Sequence, residues 1–260
     1  MALKIFKFQL ISDLHLEINE DYNYYVPALA DNLILAGDIG RSNDERLKTF
    51  LYKTAKQFKA VFFVAGNHEY YHSSIELGKD KLNNICESAP SKNIFFLDQK
   101  SILYKNLRLI GTTLWSEIPT SSFDIISKRL NDYHMITYKN KLITPKQTTA
   151  FYNKNKAWLC NQLHNAKLNN EPVFVITHHS PLVKQTFNPV YYGSNLQPAF
   201  CSDLEYIIKE NEHIKTWAFA HTHWSTSFKV NRTQLISNAR GYSKLEEKMF
   251  DPKKVFTIEY

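Results

Sequence analysis

Five short clusters of chemically versatile side chains punctuate the chain: Ser12-Asp13-Leu14-His15, Gly37-Asp38-Ile39-Gly40, Gly66-Asn67-His68-Glu69, Thr177-His178-His179-Ser180-Pro181 and Ala220-His221-Thr222-His223. Carboxylates, imidazoles and an amide oxygen together form a donor set suited to divalent ions such as Mn, Fe and Zn. Asp-x-His and His-x-His place two donors on one side of an extended segment, because strand side chains alternate. Gly37, Gly40 and Gly66 are three of only seven glycines, a concentration that fits tight turns and close backbone approach to an ion. Each cluster alone has an ordinary explanation. Gly-Asp after a strand is often a turn or a helix cap, Asn-His a loop pair, and His-x-His a packed strand edge. All five follow a segment that reads as a strand, and in an open α/β sheet ligands gather beyond the carboxyl ends of strands. Jointly they point to one metal site.

The elements that must position these residues are short apolar runs at 5–11, 32–36, 60–65, 94–97, 107–113, 172–177, 216–220 and 233–237. LILA, VFFVA and VFVIT are apolar throughout, as in strands covered on both faces. Ser42 with Glu45 and Ser73 with Glu76 read as capping boxes ahead of helices. Thr144-Pro145-Lys146-Gln147 starts a long helix with Pro at its first position, and Ser202 with Glu205 starts another. Strand–helix–strand alternation in the first hundred residues predicts an α/β fold, with late strands pairing antiparallel. No linker or internal repeat divides the 260 residues, so 1–260 reads as one domain. Residues 115–150 are the least regular stretch and read as an insertion over the site.

Composition narrows the setting. Hydrophobic residues make up 43% and charged residues 22%, ordinary values for a globular chain. The formal charge of +7 and the pI near 9.1 favour an anionic partner, yet no run of basic residues marks a nucleic-acid footprint. Cys86, Cys160 and Cys201 are widely spaced, odd in number and without metal spacing, which fits reduced thiols in a cytoplasmic protein. The opening MALKIFKFQLISDLHL reads as a strand rather than a targeting segment, and no apolar run is long enough for a membrane span. Oligomeric state has no sequence signal.

With these residues in view, the ordered set Asp-x-His, Gly-Asp, Gly-Asn-His-Glu, a later His and a final His-x-His, spanning residues 13 to 223, resembles the calcineurin-like metallophosphoesterase superfamily. The flanking text LILAGDIG, IGTTLWS, NDYHMI and ISNARGY resembles its bacterial cytosolic branch. The resemblance implies a four-layer α/β/β/α sandwich, two packed mixed sheets flanked by helices. It implies one ion on Asp13, His15, Asp38 and His223 and a second on Asp38, Asn67, His178 and His221, with Asp38 bridging. Two divalent or trivalent ions are thus expected, Mn, Fe or Zn. The implied reaction is hydrolysis of a phosphate mono- or diester by a hydroxide on the dinuclear centre, with His68 protonating the leaving group or stabilising charge on phosphorus. A phosphorylated small molecule is the expected substrate. A nuclease acting on DNA or RNA and a non-catalytic metal scaffold are the alternatives. Arg41, His179 and Arg240 are candidate substrate contacts, and Tyr70, Tyr71, Tyr191 and Tyr192 candidate stacking surfaces. Ala220 stands where the family has Gly, which matters only if that position requires a positive φ.

Overall fold

The computed structural model describes residues 3–19, 24–242, 246 and 248–260. The expected fold class is present as two large mixed sheets. The first carries β1 (Ile5–Ile11), β2 (Asn32–Leu35), β3 (Ala60–Phe63) and β5 (Ile94–Phe96) in parallel order, with β14 (Val255–Glu259) antiparallel on β1. The second runs β7 (Leu107–Thr112), β10 (Val173–Thr177), β11 (Ile214–Ala218) and β13 (Thr233–Ser237) in parallel. β6 (Lys100–Tyr104) and β12 (Thr226–Val230) pair antiparallel at its two edges. A small sheet joins β4 (Ser73–Ser74), β8 (Ile136–Tyr138) and β9 (Lys141–Leu142).

Strand alternation explains the layers. Ile34, Phe62 and Val64 from the first sheet meet Leu109, Phe174 and Ile176 from the second in a buried core between the sheets, where Phe8 and Phe174 approach ring to ring at 4.9 Å. Their neighbours Leu33, Leu35, Val61 and Phe63 face the other way. There they bury Leu47, Phe50 and Leu51 of α1 (Glu45–Ala55) and Leu82 of α2 (Ile75–Glu87). On the outer face of the second sheet, Val173, Val175 and Trp217 pack with Leu159 and Leu163 of α5 (Pro145–Leu168) and Ile207 of α6 (Glu205–Glu210). Both faces of each sheet are covered, which is why the central strands read as unbroken apolar runs.

The helix starts divide by cap chemistry. Thr144 caps α5 as expected: its hydroxyl accepts from Gln147 N, and the Gln147 side chain returns to Thr144 N. The α1 cap is Asp44 rather than Ser42, because its carboxylate accepts from Arg46 N and also pairs with the Arg46 guanidinium. Ser74, one residue beyond Ser73, caps α2. No side chain caps α6; Ser202 instead accepts from Glu117 N. Residues 115–150 carry α3 (Phe123–Arg129) and α4 (Asp132–Met135) besides β8 and β9.

Candidate metal centre

All five clusters lie just past carboxyl ends of strands, and the two sheets bring them together. Asp13 and His15 follow β1, Asp38 follows β2 and Asn67 and His68 follow β3, while His178 follows β10 and His221 and His223 follow β11. Two donor triads, Asp13/His15/His223 and Asp38/His178/His221, and a third that links them, His15/Asp38/His68, each have donor atoms within 4.8 Å of one another. His15 Nε2 lies 3.0 Å from His223 Nε2. His178 Nε2 lies 3.1 Å from both His221 Nδ1 and Asn67 Oδ1. Between the triads, Asp38 Oδ2 is 3.4 Å from His178 Nε2 and 4.0 Å from His15 Nε2. Asp13, His15, Asp38, Asn67, His178 and His221 are all buried, and His223 nearly so.

The backbone makes this convergence possible in a way that alternation does not anticipate. Asp13, His15, Asp38, His221 and His223 have φ between 47° and 70°, the left-handed region that non-glycine residues seldom enter. Asp-x-His and His-x-His are therefore looped and not extended, and such strain clusters where a site demands it. Ala220 is not among the positive-φ residues; that conformation falls on His221, so the added methyl is accommodated in the buried inter-sheet core. Two glycines are obligatory. A Cβ on Gly66 would run into Asp38 Oδ1 and come within 2.6 Å of His178, and Gly37 (φ +91°) would meet His178 Nδ1 at 2.5 Å. Gly40 has ordinary room for a side chain.

Several carboxylates beyond the five-cluster donor set hold it in place. Glu69, buried beneath the cluster, accepts from the backbone N–H groups of Gly66, Asp38 and Ile39 at 2.6–2.9 Å and so ties two loops to one side chain. Burial, with Asp38 close by, pushes its carboxyl up to about 8 against the pull of those donors. Glu17 Oε1 lies 2.7 Å from His68 Nδ1. Burial alone would raise Glu17, but the imidazoles of His15 and His68 outweigh it and hold it at about 2. Burial likewise opposes ionisation of Asp38, and His178 and His68 overcome it, holding that carboxyl well below the usual range. Glu246 approaches His223 Nδ1 at 3.4 Å, and His178 Nδ1 donates to Ala36 O at 2.9 Å. Both contacts turn the opposite ring nitrogen toward the cluster, as an outer shell does for metal-binding histidines.

The donor set fits metal ions on its own geometry. Imidazole nitrogens crowd one another and carboxylate oxygens at 3.0–4.0 Å, and His15 Nδ1 has no hydrogen-bond partner, with Glu17 3.7 Å away. Burial, followed by neighbouring imidazoles, drives His221 well below its ordinary value, which leaves it a neutral donor.

A cavity of about 390 Å³ opens on the cluster, exposing Asp38, Asn67, His68, His221 and His223. Tyr71, Phe187, Tyr191, Phe200 and Tyr242 give it aromatic walls, and Arg129 reaches it from α3. Of the expected stacking residues, Tyr71 and Tyr191 line this cavity, whereas Tyr70 is buried beside Trp115 and Tyr192 packs on Phe187. Neither Arg41 nor Arg240 lines it; the Arg240 guanidinium lies over Tyr24 at 4.8 Å. His179 is buried between Trp115 and His221, with ring centroids 5.3 and 4.1 Å away. Sequence reasoning missed Glu17, Asp132, Tyr242 and Glu246. Signals existed for three of them: Glu17 stands two residues beyond the Asp-x-His pair, and Asp132 and Tyr242 lie within NDYHMI and ISNARGY.

The model of the calcineurin-like phosphoesterase family matches residues 6–225, a span holding every candidate ligand. The chain belongs to this family. As a calcineurin-like phosphoesterase it is a hydrolase of phosphoester bonds that depends on metal. It is 34% identical to an uncharacterised protein of Acanthamoeba polyphaga mimivirus over 96% of this chain and 95% of that one. A 78-residue stretch is 35% identical to an uncharacterised metallophosphoesterase of Helicobacter pylori, covering 26% of this chain and 21% of that one. Its fold is similar to the phosphopantetheinyl hydrolase of Mycobacterium tuberculosis, with a TM-score of 0.71 at 16% identity over 91% of this chain and 89% of that one. A putative 5′-nucleotidase of Staphylococcus aureus aligns with a TM-score of 0.51 at 14% identity, over 92% of this chain and 49% of the other.

Proposed function

We propose that this phosphoesterase hydrolyses a phosphorylated small molecule at a dinuclear centre. Asp13, His15, Asp38 and His223 would hold one ion, and Asp38, Asn67, His178 and His221 the other. The observation that carries the reading is Asp38 Oδ2 standing between two donor triads at the floor of a cavity. Ions held there supply Lewis acidity, lower the pKa of water toward about 7 and neutralise charge on the phosphoryl oxygens.

The chain's own residues do the rest. Asp38, with a strongly depressed pKa, keeps a full negative charge between the triads. His68 Nδ1 is engaged by Glu17 and Nε2 faces the cavity side, where Tyr242 Oη lies 2.8 Å away. Burial alone would lower the His68 pKa, but Asp38 and Glu17 raise it, so the ring can carry a proton at Nε2 for the departing alkoxide oxygen. The aromatic walls exclude water and offer an apolar surface to the alcohol portion of the ester. A cavity of this size suits a small molecule.

The test is metal analysis of protein purified without chelator, followed by Mn²⁺-supported turnover of aryl phosphomonoester, aryl phosphodiester and single-stranded DNA and RNA. Two ions per chain and turnover of a small ester are expected. One ion or fewer would overturn the dinuclear centre, and preferential cleavage of polymer with steep salt dependence would overturn the substrate class in favour of a nuclease.

A further inference from the structure

Asn67 offers an amide whose two ends are nearly equal in size, yet only its oxygen can bind a cation. The oxygen faces the cluster, 3.1 Å from His178 Nε2. The nitrogen faces away and donates to Asp132 Oδ1 at 2.8 Å. Tyr71 Oη also donates to that carboxylate oxygen, at 2.7 Å, and lies 3.2 Å from Asn67 Nδ2. A carboxylate accepts and does not donate, so Asn67 in its flipped rotamer would set oxygen against oxygen.

Asp132 comes from none of the five clusters. It opens α4 in the 115–150 segment, which is tied to the Asn67 loop by His72 N donating to Met135 O at 2.8 Å and by the β4–β8 ladder, Ser73 against Ile136 and Ser74 against Thr137. Asp132 is buried at the edge of the cavity.

Resting on the reading of Asn67 as a donor to the second ion, we propose that Asp132 is a positioning residue that selects the amide orientation of Asn67 and thereby completes that site. The least regular part of the chain thus supplies one acceptor atom without which the Gly-Asn-His cluster has two rotamers to choose from. The feature required is an oxygen at that place that accepts and cannot donate.

The experiment is calorimetric titration of Mn²⁺ into chelator-stripped, full-length protein, with Asp132→Asn, Asp132→Glu, Asp132→Ala and Asn67→Ala compared with the unaltered chain. Melting temperatures confirm folding of each variant. Asp132→Asn puts an amide there that donates as well as accepts, so it no longer excludes the flipped Asn67; it should weaken one binding step as Asp132→Ala does. Asp132→Glu keeps the charge and displaces the acceptor by one methylene; it should weaken one step about 10–100-fold, the usual effect of removing an outer-shell partner. Asp132→Ala should follow Asp132→Glu, and should Asp132→Ala fail to fold, the Asn and Glu variants decide alone. Two unchanged steps in Asp132→Asn, or in both Asp132→Ala and Asp132→Glu, would overturn the proposal. Failure of the underlying reading looks different: the unaltered chain would not bind a second ion, or Asn67→Ala would bind as the parent does.

Discussion

Gly66 shows how little room the site leaves. Its missing Cβ is the space in which Asp38 and His178 meet, so Gly66→Ala forces those two side chains apart. Overpacking of this kind costs about 1–3 kcal/mol, and here the displaced atoms are the donors themselves. Gly66→Ala should fold with a lowered melting temperature and bind fewer than two Mn²⁺ ions, read by calorimetry and elemental analysis. His68 is the contrasting case. It touches the cavity and Glu17, and although its ring lies within 4.8 Å of donor atoms on His15 and Asp38, it has no place in either ion set proposed above. His68→Ala should retain its metal content while kcat for a poor leaving group falls about 10²–10⁴-fold; full turnover would remove the proton-donor role. Residue identity was legible from the sequence because every donor stands in a short cluster with other donors. The roles of Glu246 and Asp132 were not legible, because each acts through a donor cluster well removed along the chain, His223 for Glu246 and Asn67, 65 positions away, for Asp132.

Elements were readable in proportion to their burial. The central strands are apolar on both faces and emerged within one or two residues of their observed ends; β11 begins two residues earlier than expected, at Ile214. The strands of the two large sheets that the sequence did not announce, β6, β12 and β14, are all antiparallel edges with half-exposed, mixed sequences and no continuous apolar run. Caps behave similarly. Thr144 was legible because Gln147 and Pro145 reinforce it, whereas Asp44 was hidden by the better-looking Ser42–Glu45 pair until Arg46 closed on its carboxylate. Thr144→Ala should therefore destabilise the fold by about 1 kcal/mol, a drop of a few °C in melting temperature, with kcat and KM unchanged, since α5 packs on the outer face of its sheet away from the cluster.

The whole molecule is stapled by its inter-sheet core. Phe174 is fully buried there against Phe6 and Phe8, and Phe174→Ala should cost about 3–5 kcal/mol, measured by denaturant unfolding. The three thiols report the same architecture. Burial pushes Cys86 and Cys201 up to about 12, while Cys160 is exposed on α5. Alkylation of the native protein at mildly alkaline pH should modify Cys160 alone, and the other two should react only as the fold opens; early labelling of Cys86 or Cys201 would contradict the packing. Among the described residues no helix is long and apolar enough to cross a membrane.

The donors are drawn from both sheets: Asp13, His15, Asp38 and Asn67 from the strand ends of one, His178, His221 and His223 from those of the other. A cation gripped across that seam would act as a rivet between two plates, and occupancy would become a mechanical property of the whole body. Each ion present at a hundred times its dissociation constant would add about 2.7 kcal/mol to resistance against unfolding. Stripping with EDTA should lower the melting temperature, and backbone amides near Asp13 and His221 should exchange with deuterium soonest, so that the enzyme starved of metal loosens at its seam before its core gives way.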